Sequence, residues 1–232
     1  MSRVTDLNEL YQNAVKLLTQ NPQEWTGLLT SAAKFYKLSF DKNVLVYMQR
    51  PEAGLIATMK DWNIRTGRYV NKYSKAIAVL DMSDPKAKLT YYFDFADTHG
   101  DLESFQKTME LIWKVENQYK SDLLERFQKE YGVKGESIEE ALVQMAIEHT
   151  EKKLVPYMKD FTVREPESVL YGAPLEAVKD EFAAYVQNSA IYIIFKKCGL
   201  STEIMGEDAF DHISHYGSLE LFMQLGACST AI

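Results

Sequence analysis

The residues with the clearest chemical potential are basic and aromatic side chains that alternate within one stretch, residues 59–81, MKDWNIRTGRYVNKYSKAIAVLD. Lysine and arginine contact phosphates, and aromatic rings stack on unpaired bases; proteins that bind single-stranded nucleic acid use both. Stacking contributes about 1–3 kcal/mol per base, and the ionic contacts weaken with salt. The stretch therefore predicts one wall of a groove for a single strand.

Each candidate contact has a role and a structural alternative. The cations would lie on phosphates, the asparagines would add polar contacts, and the rings of Tyr69 and Tyr73 would stack on bases. The alternative for both tyrosines is packing on a sheet with the hydroxyl groups outward. Trp62 ends a short predicted helix, so we expect it in the core beneath. The candidate binding residues are Lys42, Asn43, Arg65, Arg68, Tyr69, Asn71, Lys72, Tyr73 and Lys75.

The charge of the chain is unevenly distributed. The formal net charge is −7, yet residues 34–75 contain nine of the 26 basic and three of the 33 acidic residues. The rest of the chain has 17 basic and 30 acidic residues, a net charge of −13. Such asymmetry indicates that one region meets a polyanion. The alternative is a solvated basic face that pairs with the chain's own acids, and Lys34 and Lys37 either extend the patch or are solvated.

Catalytic and metal-binding motifs are nearly missing from the sequence. It contains no phosphate-binding loop, dinucleotide fingerprint, nucleophile elbow or H-E-x-x-H zinc motif. His212 and His215 have the spacing of two ligands on one helix face, but without a clear third ligand they are weak metal candidates. We therefore expect no enzymatic activity, no metal and no other cofactor.

Composition and length limit the class of protein. The 232 residues suffice for one large or two small domains, and 46% hydrophobic with 25% charged residues is typical of a globular protein. The longest strongly apolar run, residues 190–195, is too short to span a membrane. The start shows no apolar signal region, and two cysteines are too few for a disulfide framework. We expect a cytoplasmic protein without membrane contact.

The elements that must position the candidate residues are predicted to be helices followed by strands. Amphipathic helices are predicted over 6–18, 22–36 and 40–49, the last two with caps at Asn21 and Ser39. A short helix capped by Thr58 ends at Gly67. Next, AIAVL and LTYYFDF have the composition of strands, and DMSDPKAK between them has turn chemistry. The sequence therefore predicts a β-hairpin, with GLIAT as a candidate third strand.

Past Gly100 the pattern is helical throughout. One long helix is predicted from Phe105 to Gly132, another follows a cap at Ser137, and a third runs from Pro174 to Gly199. Two short helices follow, and the last is still in pattern where the sequence stops, which indicates either a fragment or a docked terminal helix. The predicted fold class is α+β, a helical N-terminal segment packed on a small antiparallel hairpin or sheet and followed by an all-α region. The predicted domains are 1–100 and 101–232.

The order of residues from EWTGLL to AIAVLD resembles the N-terminal single-stranded-DNA-binding domain of ArdC-type antirestriction proteins. YYFDFADT, at 91–98, resembles a later strand of that family. The resemblance covers about residues 20–98 and implies single-stranded DNA binding in a protein of plasmids, conjugative elements or related mobile DNA. The helical region after Gly100 resembles the part that follows in large proteins of Gram-positive mobile elements. The matching positions are Trp25, Ser39, Asn43, Gln49, Arg50, Pro51, Ala57, Trp62, Gly67 and Val70.

Two departures limit what the resemblance implies. The family has a glycine near the position of Tyr73, in a K-G-x-K turn, where this chain reads KYSK. Glycine there would permit a positive φ, so either the turn differs here or Tyr73 is a specialised contact. ArdC itself also has a zinc peptidase-like domain with H-E-x-x-H, and peptidase activity is not implied for these residues.

The rival hypothesis is a protein-interaction or anti-defence module. In it the basic face pairs with an acidic partner, or the acidic helical region binds a partner protein as a nucleic-acid mimic. Acidic residues clustered on one surface would favour this hypothesis, whereas acidic residues scattered around every helix would weaken it.

Overall fold

The computed structural model describes residues 3–81, 88–112 and 114–231. The fold is α+β, as predicted, with helices dominating and short antiparallel strands forming two small sheets. The α-helices are α1 (Arg3–Leu18), α2 (Pro22–Lys34), α3 (Phe40–Gln49), α4 (Met59–Asp61), α5 (Leu102–Met109), α6 (Lys120–Tyr131), α7 (Ile138–Met158), α8 (Leu175–Cys198) and α9 (Leu219–Thr230). The strands are β1 (Ile56–Ala57), β2 (Tyr69–Val70), β3 (Ile77–Asp81), β4 (Lys88–Asp94) and β5 (Thr98–His99).

Local capping determines where the early helices begin and end. Asn21 caps α2 by accepting a hydrogen bond from the backbone N–H of Glu24 at 3.0 Å, and Thr58 caps α4 in the same way. After α4 the chain makes a π-helical turn, Trp62–Thr66, which Gly67 ends with a φ of 73°. The predicted caps at Asn21 and Thr58 and the left-handed glycine are therefore confirmed, whereas Ser39 precedes α3 without a capping hydrogen bond from its side chain.

The hairpin forms the centre of the larger sheet. β3 and β4 pair antiparallel with Ile77 opposite Tyr92, and β1 pairs on the other side of β4, which gives the order β1-β4-β3. The predicted hairpin and third strand are confirmed. Of the predicted loop, residues 81–88, the end residues Asp81 and Lys88 pair with each other in the strands, and 82–87 lie outside the described residues. A second sheet, which the sequence did not predict, pairs β2 with β5.

Two buried clusters hold these layers together. The sheet packs on α1 and α3 through residues such as Leu45, Val46 and Val79. The larger cluster joins α1, α2 and α3 to α7, α8 and α9, so it draws on both sides of residue 100. Trp25 is central to it, and its indole N–H donates to Ser189 Oγ at 3.1 Å. A division into domains near residue 100 stays a prediction.

The predicted long helix after Phe105 is wrong. Helix α5 ends at Met109 and α6 begins only at Lys120, and between them Val115 contacts the end of α8. There the backbone N–H of Val115 donates to the carbonyl of Cys198 at 2.8 Å. A tertiary hydrogen bond thus replaces the helical one, although the apolar spacing alone would continue the helix.

The remaining helices follow their local signals more closely. Ser137 caps α7, and Gly132 and Gly199 end α6 and α8 with left-handed backbones. The predicted short helix near residue 210 is instead a series of turns with one 3₁₀ helix, Ile213–Tyr216. Within the parts of the chain that the structure describes, no helix combines the length and apolar character needed to cross a membrane.

Candidate nucleic-acid interface

The centre of the predicted binding stretch is a tight turn from Asn71 to Ser74. The carbonyl of Asn71 accepts a hydrogen bond from the backbone N–H of Ser74 at 3.2 Å. Tyr73 has a φ of 69°, the one positive value at a non-glycine residue in the described parts of the chain. Type II turns require positive φ at their third residue, and the left-handed backbone costs a residue with a side chain about 1–2 kcal/mol.

Asp97 fastens this turn to the rest of the fold. Its backbone carbonyl accepts hydrogen bonds from the N–H of Asn71 at 2.8 Å and from Ser74 Oγ at 3.3 Å. Its carboxylate accepts from the Arg50 guanidinium and from the backbone N–H of Asp94. Arg50, in the sequence QRP at 49–51, and residues of FDFADT, at 93–98, therefore hold the turn in place.

Exposed rings and cations project around the turn. Pairing of β2 with β5 sets Tyr69 opposite His99, and the rings of these two residues stack with their centroids 6.1 Å apart. Asn71 Oδ1 lies 2.7 Å from His99 Nδ1. Tyr73 is 90% exposed, and Lys72 Nζ lies 4.8 Å from its ring centroid. We call this set the turn surface: Tyr69, Asn71, Lys72, Tyr73, Lys75 and His99.

The turn surface combines two kinds of contact. Tyr69, 57% exposed, and Tyr73 present aromatic faces to solvent, and Lys72 and Lys75 add exposed positive charge. Exposed rings beside ammonium groups are suited to stacking on bases while the cations contact phosphates. The structure therefore brings together five of the nine predicted binding residues.

Arg68 is a correction to the predicted set. Its side chain is buried, with 6% exposure, and donates to Thr98 through Nε–Oγ1 at 2.8 Å and Nη2–O at 3.0 Å. The guanidinium carbon lies 4.2 Å from the centroid of the Phe95 ring, and burial lowers the pKa of Arg68. These contacts occupy the guanidinium inside the fold, where it supports β5.

Asn43 is also misplaced by the prediction. It is fully buried, and its amide donates to the carbonyls of Phe35, Leu38 and Ser39 at 3.1–3.4 Å, which closes the connection between α2 and α3. A buried amide needs such partners, so this side chain serves the fold. Its neighbour Lys42 is half-buried on α3, which packs against α1, α2, β3 and α9, and we place it outside the turn surface.

Trp62 and Arg65 have different environments on the same short turn. Trp62 is buried as predicted, and its indole N–H donates to the carbonyl of Phe93 at 2.9 Å. Arg65 is exposed, with Nε 3.6 Å from Asp61 Oδ1. Its side chain lines a cavity that contains no residue of the turn surface.

His99 is the functional candidate that sequence reasoning missed. Its position opposite Tyr69 depends on two-residue strands, which are too short to produce a periodic pattern. The only local signal is its place directly after the FDFADT segment. Register between distant strands, rather than spacing along the chain, brings this imidazole to the turn.

The weak metal candidates come together without forming a recognisable centre. The rings of His212 and His215 stack with centroids 5.1 Å apart, and His215 Nδ1 lies 2.9 Å from Glu181 Oε1. Across 3–81, 88–112 and 114–231, no group of three or more histidine, cysteine or acidic side chains has an arrangement that could hold a metal ion.

Comparison of the chain with protein-family models, with curated proteins and with solved structures found no match. The resemblance to the ArdC N-terminal domain therefore stays an expectation.

Proposed function

We propose that this chain binds single-stranded DNA through the turn surface, without catalysing a reaction. The observation that supports the proposal is the conformation of Tyr73. This residue is 90% exposed, its backbone has a positive φ, and Lys72 Nζ lies beside its ring. Placement in a conjugative or other mobile element, in an antirestriction role, rests on the resemblance to the ArdC family alone.

The energetics of Tyr73 favour a role in binding over a role in stabilising the fold. Its left-handed backbone costs about 1–2 kcal/mol, which glycine would avoid. An exposed ring returns little of this through burial, because hydrophobic stabilisation scales with the apolar area removed from water. Backbone strain of this kind is concentrated at binding and catalytic sites, where the surrounding structure maintains it.

A single strand fits this surface better than a duplex does. The faces of Tyr69 and Tyr73 can stack only on bases that are not already stacked within a helix. Lys72 and Lys75 favour any nucleic acid through its phosphates, so they raise affinity without distinguishing the two forms. Selectivity for the single strand should therefore depend on the rings, and salt sensitivity on the lysines.

The test is fluorescence anisotropy with a labelled strand of about 20 nucleotides and its duplex, each between about 50 and 200 mM salt. Wild type is expected to prefer the single strand, and binding should weaken as salt rises. Lys72→Ala/Lys75→Ala should bind more weakly and with a smaller salt slope. Lys152→Ala/Lys153→Ala, which removes two exposed lysines of α7, is the matched control and should bind like wild type.

Two results would contradict the proposal. Wild type that binds neither form at the lower salt concentration has no such interface, and equal loss in the control variant would indicate only net charge. The first result would favour the alternative, a partner protein bound by the acidic helical region, which an interaction screen could then address.

A further inference from the structure

A cavity of about 440 Å³ lies where α2, β1, β4 and the turn at 62–66 meet the end of α8. Its volume falls in the range of sites that hold a drug-sized ligand, about 300–1,000 Å³. Four cationic residues line it against a single acidic residue, Asp61, in a protein whose net charge is −7. We call it the lysine pocket, and its cations are Lys34, Lys37, Arg65 and Lys197.

Three of these cations contact neighbouring groups of the fold. The half-exposed ring of Tyr36 lies 4.2 Å from Lys197 Nζ and 5.6 Å from Lys37 Nζ, measured to the ring centroid. Lys34 Nζ donates to the carbonyl of Ala53 at 3.0 Å. Both distances lie within the range of a cation–π interaction, so the Tyr36 ring contacts two of the four cations.

A phosphate monoester suits the charge of this lining. Such a group has a charge of about −1.5 to −2 at neutral pH, whereas a phosphodiester within a strand has a single negative charge. The lining has a formal excess of positive charge even after Asp61 is included. Terminal or free phosphate is therefore favoured over the interior of a strand.

The lining also includes apolar and aromatic side chains, which we call the apolar wall: Leu55, Ile56, Ala57, Tyr92 and Leu111. A ligand with only charge would leave this wall in water, whereas a nucleobase would cover it and gain stacking or hydrophobic contact. We infer that the lysine pocket binds a nucleoside 5′-phosphate, with its phosphate on the cations and its base on the apolar wall.

The nucleoside 5′-phosphate has two possible sources, a free nucleotide or the 5′ end of a DNA strand. Only the second rests on the proposed function, since the lysine pocket and the turn surface share no residue. Lys37→Ala/Lys197→Ala is the test variant, and Lys152→Ala/Lys153→Ala is the control with the same change in charge.

The first measurement is isothermal titration of the wild-type chain with thymidine 5′-monophosphate, thymidine and inorganic phosphate. The monophosphate is expected to bind more tightly than either part, and the test variant should lose about tenfold or more in affinity, or about 1.4 kcal/mol. No binding of the monophosphate, binding no tighter than inorganic phosphate, or unchanged binding by the test variant would overturn the inference. Circular dichroism and thermal melting confirm that each variant is folded.

The second measurement identifies the source. A 3′-labelled strand is compared with and without a 5′-phosphate, and an advantage of the phosphorylated strand that the test variant loses indicates the strand end. Equal binding of both strands, together with binding of the free monophosphate, indicates a free nucleotide. The variant Lys72→Ala/Lys75→Ala should keep its affinity for the monophosphate, so failure of the turn surface and failure of the lysine pocket are distinguishable.

Discussion

Replacing Tyr73 with glycine should separate the strain of the turn from its function. Glycine removes the left-handed strain of about 1–2 kcal/mol, but its freedom in the unfolded chain costs about 0.5–1 kcal/mol. Loss of the exposed contact with Lys72 costs about 0.5–1 kcal/mol more. The free energy of unfolding is therefore expected to stay within about 1 kcal/mol of wild type.

Tyr73→Ala is the informative companion variant. Alanine loses the same ring and the same contact with Lys72, yet it keeps the strain because its Cβ also disfavours positive φ. Tyr73→Gly should consequently be more stable than Tyr73→Ala by up to about 1.5 kcal/mol, or a few degrees in melting temperature. The proposed stacking predicts that both variants lose about 1–3 kcal/mol in binding a single strand, roughly 5- to 150-fold in Kd.

The assay combines urea unfolding of the three proteins with fluorescence anisotropy on the same labelled strand. The expected pattern is glycine above alanine in stability and both equally weak in binding. Alanine more stable than glycine would refute the strained turn, because without strain only the conformational cost of glycine would remain. Unchanged affinity in both variants would refute stacking on Tyr73, whatever the lysines contribute.

Three further predictions concern residues that support the fold. Arg68→Ala should destabilise the protein by about 2–4 kcal/mol in urea unfolding, because buried partners of the guanidinium are left without a donor; a stable variant with weak DNA binding would instead place Arg68 at the interface. Gly226→Ala should cost about 1–3 kcal/mol, because a Cβ there would overlap the ring of Phe40. Adding Phe40→Leu should recover part of that loss, and failure to do so would contradict the close contact. The hydrogen bond from Lys120 lowers the pKa of Glu139. The stabilisation that this pair provides is therefore fully present above the unfolded carboxyl pKa of about 4.3, and it is lost as the pH falls through the lower folded pKa. Glu139→Gln should therefore cost about 0.5–1 kcal/mol at pH 7 and progressively less in acid, whereas an equal loss at every pH would exclude the ionic contribution.

Local signals predicted a large part of the fold. The caps at Asn21 and Thr58, the left-handed glycine at 67 and the two long strands all follow from residues close together in sequence. The interrupted helix after Met109 was not predictable in this way, because its break depends on the hydrogen bond from Val115 to the end of α8. Short-range propensity is decided by a few neighbours, and a distant partner can override it.

The candidate site was predicted only in part, for the same physical reason. The composition of residues 59–81 pointed to this stretch as a binding region. The comparison of KYSK with a glycine turn pointed to Tyr73, whose positive φ agrees with that position. Composition could not distinguish the exposed cations from the buried Arg68, because the sequence is the same whether an arginine side chain contacts solvent or Thr98. Burial depends on which segments pack above a residue, and that information is not local.

The sequence alone was enough to specify the basic and aromatic character of one region, its caps and its hairpin, because charge, ring and backbone preference belong to each residue. Folding was needed to set His99 opposite Tyr69 and to bring Lys197 to the ring of Tyr36. These pairs are separated by 30 and 161 positions in the chain. Their contacts arise from strand register and helix packing, which depend on the whole buried core at once.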